Sequence, residues 1–283
     1  MTWFLMIIVL WACQRSADHG QPPFETIPTS VPITNTITEA SGLAGSKLNP
    51  GYLWVHEDSG TPAQISLLND AGSLVKVVVI DGANNIDWED MSLSTGPDPS
   101  LNYLYLGDVG DNPLNRTEYA IYRFAEPSLT ADTVRAFDKI RFQYPDGHHD
   151  AEAIVVESST KDIYIITKSD SPSGIYKLPY PQNITAINQA IPSGKLTFSG
   201  VTGAAISADG RELIVKTYPA LNYFAIATGE SVEKSLQKAP VNLAYRLEPQ
   251  GEAVAFAADN SGFYTLSEKA YSSTVNLFFY KRK

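Results

Sequence analysis

An all-β fold assembled from repeated units is the reading that the 283-residue sequence supports, and three observations carry it. The composition holds 15 Tyr, 11 Phe and 4 Trp, with 19 Gly and 18 Pro spread along the chain. That mixture suits pleated strands broken by turns better than helices. Short strand-like runs recur at Tyr52-Leu53-Trp54-Val55, Tyr103-Leu104-Tyr105-Leu106, Ile163-Tyr164-Ile165-Ile166, Leu213-Ile214-Val215 and Phe263-Tyr264-Thr265-Leu266. Their spacing of roughly fifty residues is that of a repeat architecture. Ahead of each run stands a second recurring element, rich in small residues: Ala40-Ser41-Gly42-Leu43-Ala44, Trp88-Glu89-Asp90-Met91-Ser92, Ala151-Glu152-Ala153-Ile154-Val155, Thr202-Gly203-Ala204-Ala205-Ile206 and Gly251-Glu252-Ala253-Val254-Ala255.

The elements follow in order. The small-residue segments suit strands crowded around a central axis, and the aromatic runs suit the strands paired to them. Tight-turn signals such as Asn49-Pro50-Gly51, Ala208-Asp209-Gly210 and Asp259-Asn260-Ser261-Gly262 join the two. Two outer strands complete most repeats, among them Gln64–Leu68 and Leu74–Ile80 in the first, and Tyr119–Phe124 and Lys139–Phe142 in the second. The fifth repeat ends after Val275–Tyr280, one strand short, and the apolar stretch Ile33–Ile37 is available to pair there. Four-stranded units repeated about an axis form a β-propeller, an architecture with few exposed edges. Five blades closed by an N-terminal strand are expected. Six remain compatible, because the interval after Tyr103 is long enough to hide extra structure.

Charge narrows the function classes. Lys and Arg total 21 against 31 Asp and Glu, a net charge of −10. Such a chain repels phosphate backbones, so nucleic acid is not an expected partner. Its single cysteine, Cys13, excludes internal disulfides and thiolate metal clusters. Cys13 follows the apolar run Trp3–Leu10, too short for a transmembrane helix but of signal-peptide length. Leu10-Trp11-Ala12-Cys13 reads as a bacterial lipobox, with an ordinary secretory signal as the alternative. Residues 1–12 are thus expected to be a signal peptide, 13–32 a lipid-anchored tether and 33–283 one propeller domain. The expected location is the bacterial cell envelope, with the monomer held to the membrane through its lipid.

Propeller geometry brings the start of each inner strand and the end of each second strand to one mouth of the channel. The inner starts are Ser41, Glu89, Glu152, Thr202 and Glu252. Three carboxylates aimed at one axis repel unless they take protons or share a cation. A hard ion with oxygen ligands fits, so Ca²⁺ is the expected cofactor at these five positions. The alternative is a ring of solvated mouth carboxylates. Second-strand ends add His56, Glu57, Asp111, Asn112, Lys168, Lys216 and Lys269 as candidate ligand-binding residues, and Asp58, Asp87 and Asp108 as candidate general bases. His148-His149 has no third nitrogen ligand in view and reads as a loop pair.

The segments Glu39–Ala44, Tyr52–Gly60, Asp87–Met91 and Tyr105–Asp108 resemble exported β-propellers of the SdiA-regulated and esterase-like-phytase kind. More distantly the chain is similar to calcium-activated apyrases, five-bladed propellers with Ca²⁺ in the channel. The resemblance implies calcium ligands at Ser41, Glu89, Glu152 and Glu252, with the carbonyls and hydroxyl of Thr202-Gly203-Ala204 in the fourth blade. Two functions are compatible with this reading. One is a lipid-anchored propeller whose calcium-bearing face binds a small molecule or protein. The other is a calcium-dependent hydrolase of phosphoester or lactone-like substrates, with Arg116 and Lys168, Lys216 or Lys269 as cationic clamps. A Cys13→Ala variant is expected to lose incorporated fatty acid and to leave the membrane fraction, as labelling and fractionation would show.

Overall fold

A computed structural model describes residues 23–283 apart from Asn35. The expectations for the signal segment and Cys13 lie outside the described residues. The chain forms five mainly antiparallel sheets, laid down from the inside outward except for an N-terminal outer strand in the last, and these are the five blades of a β-propeller.

Blade 1 comprises Ala40–Gly45, Tyr52–Glu57, Gln64–Asn69 and Leu74–Ile80. Blade 2 comprises Trp88–Thr95, Asn102–Asp108, Tyr119–Ala125 and Asp138–Gln143. Blade 3 contains Ala151–Val156, Ile163–Thr167, Gly174–Leu178 and Ile191–Lys195. Blade 4 contains Val201–Ile206, Glu212–Thr217, Ala220–Ala225 and the short Val241–Asn242. A helix over Val232–Leu236, capped by the Ser231 side chain, precedes that last strand. Blade 5 contains Gln250–Phe256, Gly262–Glu268 and Asn276–Lys281.

The long interval after Tyr103 holds no sixth blade. It is taken up by the 109–118 turn and by an excursion in which Thr133–Val134 pairs in parallel with Leu74–Ile80 of blade 1. Blade 3 repeats the device, laying Asn188–Gln189 against Asp138–Gln143 of blade 2. Each excursion covers part of an outer edge that would otherwise present unpaired backbone groups.

Ring closure is N-terminal, but the strand that performs it is Thr29–Pro32, antiparallel to Asn276–Lys281 with Val31 opposite Leu277. It therefore lies before the expected Ile33–Ile37 and inside the segment expected to be tether. Ile33 and Ile37 are apolar for a different reason: both are buried in the seam between blades 5 and 1. The seal extends to Phe24, which pairs with Arg282 and packs its ring 4.9 Å from that of Phe263.

Five apolar clusters, one per blade seam, form the core. In the seam of blades 1 and 2, Trp54, Trp88, Met91 and Tyr122 interlock. The axis admits only small residues at its tightest points. A Cβ on Gly42 would lie 2.1 Å from His56 Nε2, and one on Gly203 would lie 2.5 Å from the Glu252 carbonyl. Asp90 crosses the axis: its fully buried carboxylate accepts from the amides of Met91 at 2.8 Å, Ile154 at 2.9 Å and Ala204 at 3.2 Å, tying blade 2 to blades 3 and 4.

A chain beginning at Pro23 keeps the whole closure, whereas one beginning at Ile33 lacks both the outer strand of blade 5 and Phe24. Losing a buried Phe side chain alone costs about 3–5 kcal/mol, so the shorter chain should melt about 10 °C or more below the longer. Equal midpoints in a thermal melt would mean that closure lies elsewhere.

Candidate functional site

Every inner strand carries a β-bulge at its second residue or just within its first turn of pairing. The register breaks between Ala40 and Gly42, Trp88 and Asp90, Ala151 and Ala153, Val201 and Gly203, and Gly251 and Ala253. The residues skipped are Ser41, Glu89, Glu152, Thr202 and Glu252, the five positions singled out by the repeats. A bulge re-aims one side chain while the rest of the strand stays paired. All five are buried.

They do not form one symmetric cage. Ser41 Oγ donates to the Glu89 carbonyl at 2.5 Å, and Thr202 Oγ1 to the Gly251 carbonyl at 3.2 Å, so both hydroxyls fasten one blade to the next. The three glutamates divide between two halves of the mouth.

In the half formed by blades 1 and 2, Glu89 meets Asp58 and Asp87, with one oxygen from each lying within 4.8 Å of the others. The backbone of the next loop closes over them. A Cβ at Gly110 would come within 2.2 Å of Glu89 Oε1 and 2.5 Å of Asp87 Oδ2. Burial raises the Glu89 carboxyl well above its ordinary range, and the charges of Glu152, Asp58, Asp87 and Glu252 add to the rise. Burial, then Asp58, pushes Asp87 up to about 6. Burial also raises Asp58, although the Ser59 amide and the Lys168 charge oppose it.

In the half formed by blades 3 to 5, Lys168 forms an ion pair with Glu152, and its ammonium lies 5.5 Å from the centre of the Tyr218 ring. Tyr218 donates its hydroxyl to Glu252 Oε1 at 2.7 Å. Glu252 in turn shares a side-chain hydrogen bond with Glu268. Burial, then the Glu252 charge, pushes Glu268 up to about 9.

The remaining candidates occupy supporting positions. Asp108 is fully buried and pairs with Arg116 at 2.9 Å, while its Oδ1 also accepts the Asp87 amide at 3.2 Å. Asp108 Oδ2 has no hydrogen-bond partner. Asp111 closes its own turn, accepting from the amides of Asn115 and Arg116 and from the Tyr119 hydroxyl, whereas Asn112 is exposed. Glu57 Oε1 accepts the Thr38 amide at 2.8 Å. His56 is buried between blades 1 and 2, and burial lowers it to about 4, so it is neutral at pH 7. Lys216 is 0% exposed and held by Glu248 at 2.7 Å and the Tyr245 hydroxyl at 2.6 Å. Lys269 is half-buried, with its amide bonded to the Thr38 carbonyl. His149 lies between Asp170 and Asp146, at 3.1 and 3.2 Å, on the outer part of the same face.

Fold and site together define a five-bladed β-propeller with an acidic channel mouth. Solved structures of similar shape are propeller-like. A luciferin-regenerating enzyme matches with a TM-score of 0.52 at 10% identity, over 90% of this chain and 97% of that one. An auxiliary nutrient binding protein from Bacteroides thetaiotaomicron matches with a TM-score of 0.51 at 7% identity, over 92% of this chain and 73% of that one. At such identities the likeness is one of fold. No protein-family model matches the chain, and no curated protein matches it by sequence.

The raised carboxyls carry a pH signature. Unfolded Asp and Glu release their protons near pH 4, roughly. Folded Asp87 holds its proton to about 6 and Glu268 to about 9. Above pH 4 the native state therefore binds more protons than the unfolded one, and stability falls as pH rises. In chelator, the melting temperature should decline between pH 5.5 and 9, and Asp87→Asn should flatten the lower part of that decline. A midpoint that rises across the same range would contradict the assignment.

Proposed function

We propose that the protein is an exported, lipid-anchored propeller whose channel mouth holds one calcium ion at Asp58, Asp87 and Glu89 and uses that face to bind a small molecule or protein. The carrying observation is the trio of buried Glu89 with half-buried Asp58 and Asp87, three oxygen donors drawn within 4.8 Å without a lysine or arginine bonded to them among the described residues. Partly desolvated carboxylates at that separation need protons or a cation, and an all-oxygen donor set suits a hard divalent ion such as Ca²⁺. Anchoring rests on the Leu10–Cys13 lipobox. The likeness of Glu39–Ala44 and Asp87–Met91 to SdiA-regulated and esterase-like-phytase propellers supports an envelope location and a metal-bearing channel.

A hydrolytic reading keeps the same ion as a Lewis acid. Its support is Asp87, half-buried and raised to about 6, near the value useful to a general base at neutral pH. Asp108 is a poorer base, being fully buried against Arg116. Lys216 is equally removed from the mouth surface, so the cationic clamps reduce chiefly to Lys168.

Calcium should raise the melting temperature. At a free concentration of 100 times the dissociation constant, native-state binding is worth about 2.7 kcal/mol, or several degrees for a domain of this size. Glu89→Gln should abolish that response and leave the fold intact. An unchanged midpoint in calcium and chelator, with no ion retained in native mass spectrometry, would end the metal reading. Turnover of nitrophenyl phosphate, nitrophenyl acetate or a simple lactone that requires calcium and is lost in Asp87→Asn would favour the hydrolase.

A further inference from the structure

The mouth holds more buried carboxyls than one calcium ion can neutralise, and its two halves deal with them differently. The Asp58, Asp87 and Glu89 half has no cationic side chain bonded to it among the described residues. In the other half, Glu152 pairs with the Lys168 ammonium, Glu252 lies close enough to feel its charge, and Glu268 is bonded to Glu252. Glu152 is 2% exposed and bonded to Lys168, whose side chain is 22% exposed and approaches from the end of the second strand of blade 3. The Tyr218 ring backs the ammonium at 5.5 Å, and the Tyr218 hydroxyl is committed to Glu252 at 2.7 Å. Carboxylate in front and aromatic face behind is how proteins hold a bound cation, and here the cation is part of the chain.

We propose that Lys168 is a tethered second cation: its ammonium fills the place of a second divalent ion between Glu152 and Glu252, and so fixes the mouth at one exchangeable metal. This rests on the calcium reading above and deepens it. Charge must balance in a desolvated site. One divalent ion in the trio leaves Glu152 and Glu252 unbalanced, and like carboxylates that close cannot both stay ionised without a nearby positive charge. Lys168 supplies that charge from within the chain.

The assignment bears on reactivity. Two-metal hydrolysis needs paired ions to stabilise both the attacking and the leaving oxygen. A lysine in the second position removes that option and leaves a one-ion site with an ammonium beside it. Lys168 is thus a residue that determines metal stoichiometry, whichever use the face is put to.

The test counts ions in the full-length protein. Wild type and Lys168→Arg should each retain one calcium in native mass spectrometry and give one class of site in terbium luminescence titration. Lys168→Met keeps the length of the side chain and removes its charge, and it should retain two. In chelator the Met variant should melt below wild type, and saturating calcium should close that gap. Lys168→Ala serves as a second neutral variant should the Met side chain block the vacated space. One ion in wild type and one in both neutral variants overturns the tethered-cation assignment alone. No ion in wild type overturns the calcium reading with it.

Discussion

Five strands that begin around one narrow axis cannot keep their first side chains apart, and the rest of the site follows from that crowding. The strands accommodate one another by using small residues where backbones touch, at Gly42 and Gly203, and by bulging at the position that faces the mouth. A bulge turns one side chain per blade out of the paired ladder. What the chain places there decides the chemistry. Two blades use a hydroxyl that bonds the neighbouring strand, and three use a glutamate. The same steric requirement thus yields both an inter-blade fastener and a charged centre.

Electrostatics then separates the buried charges by depth. Deepest is Asp90, whose carboxylate is met by three backbone amides from three blades, although burial still raises it. Beside it His56 is kept neutral by the same burial. Nearer the opening the amides run out, because bulged strands have given up their regular pairing. The glutamates must find other partners. Glu152 has a lysine, Glu252 has a tyrosine hydroxyl and the Glu268 carboxyl, and Glu89 has only more carboxylates.

Much of this organisation was visible in the amino-acid order, and the part that was not has a physical reason. Strand runs and their period are local properties, so the blade count and the five mouth positions followed from spacing alone. The closing strand did not, since Thr29–Pro32 is short and largely exposed while Ile33 and Ile37 are more apolar, yet those two isoleucines serve as seam residues. Splitting of the glutamates was hidden as well. Repeats make Glu89, Glu152 and Glu252 look equivalent, and only the loops that differ between blades distinguish them. Asp58 and Asp87 reach Glu89 from loops of blades 1 and 2, and Lys168 reaches Glu152 from the strand end of blade 3. Lys216 shows the converse. It occupies a second-strand end like Lys168, but Glu248 and Tyr245 from the connection into blade 5 enclose it completely.

A site built this way is separable from the fold that carries it. The energy of the ring resides in five apolar seams and a closing strand, each distant from the mouth in chemistry if not in sequence. Carboxylates held close together work against folding, and the seams are large enough to absorb that cost. The bulged positions are consequently free to vary without loss of the propeller, as Ser41 and Thr202 already show within this one chain. Function in such a ring depends on which few of five equivalent positions carry charge, and on which of those charges the protein neutralises itself. Here Lys168 and Tyr218 partner Glu152 and Glu252, while Glu89 faces Asp58 and Asp87.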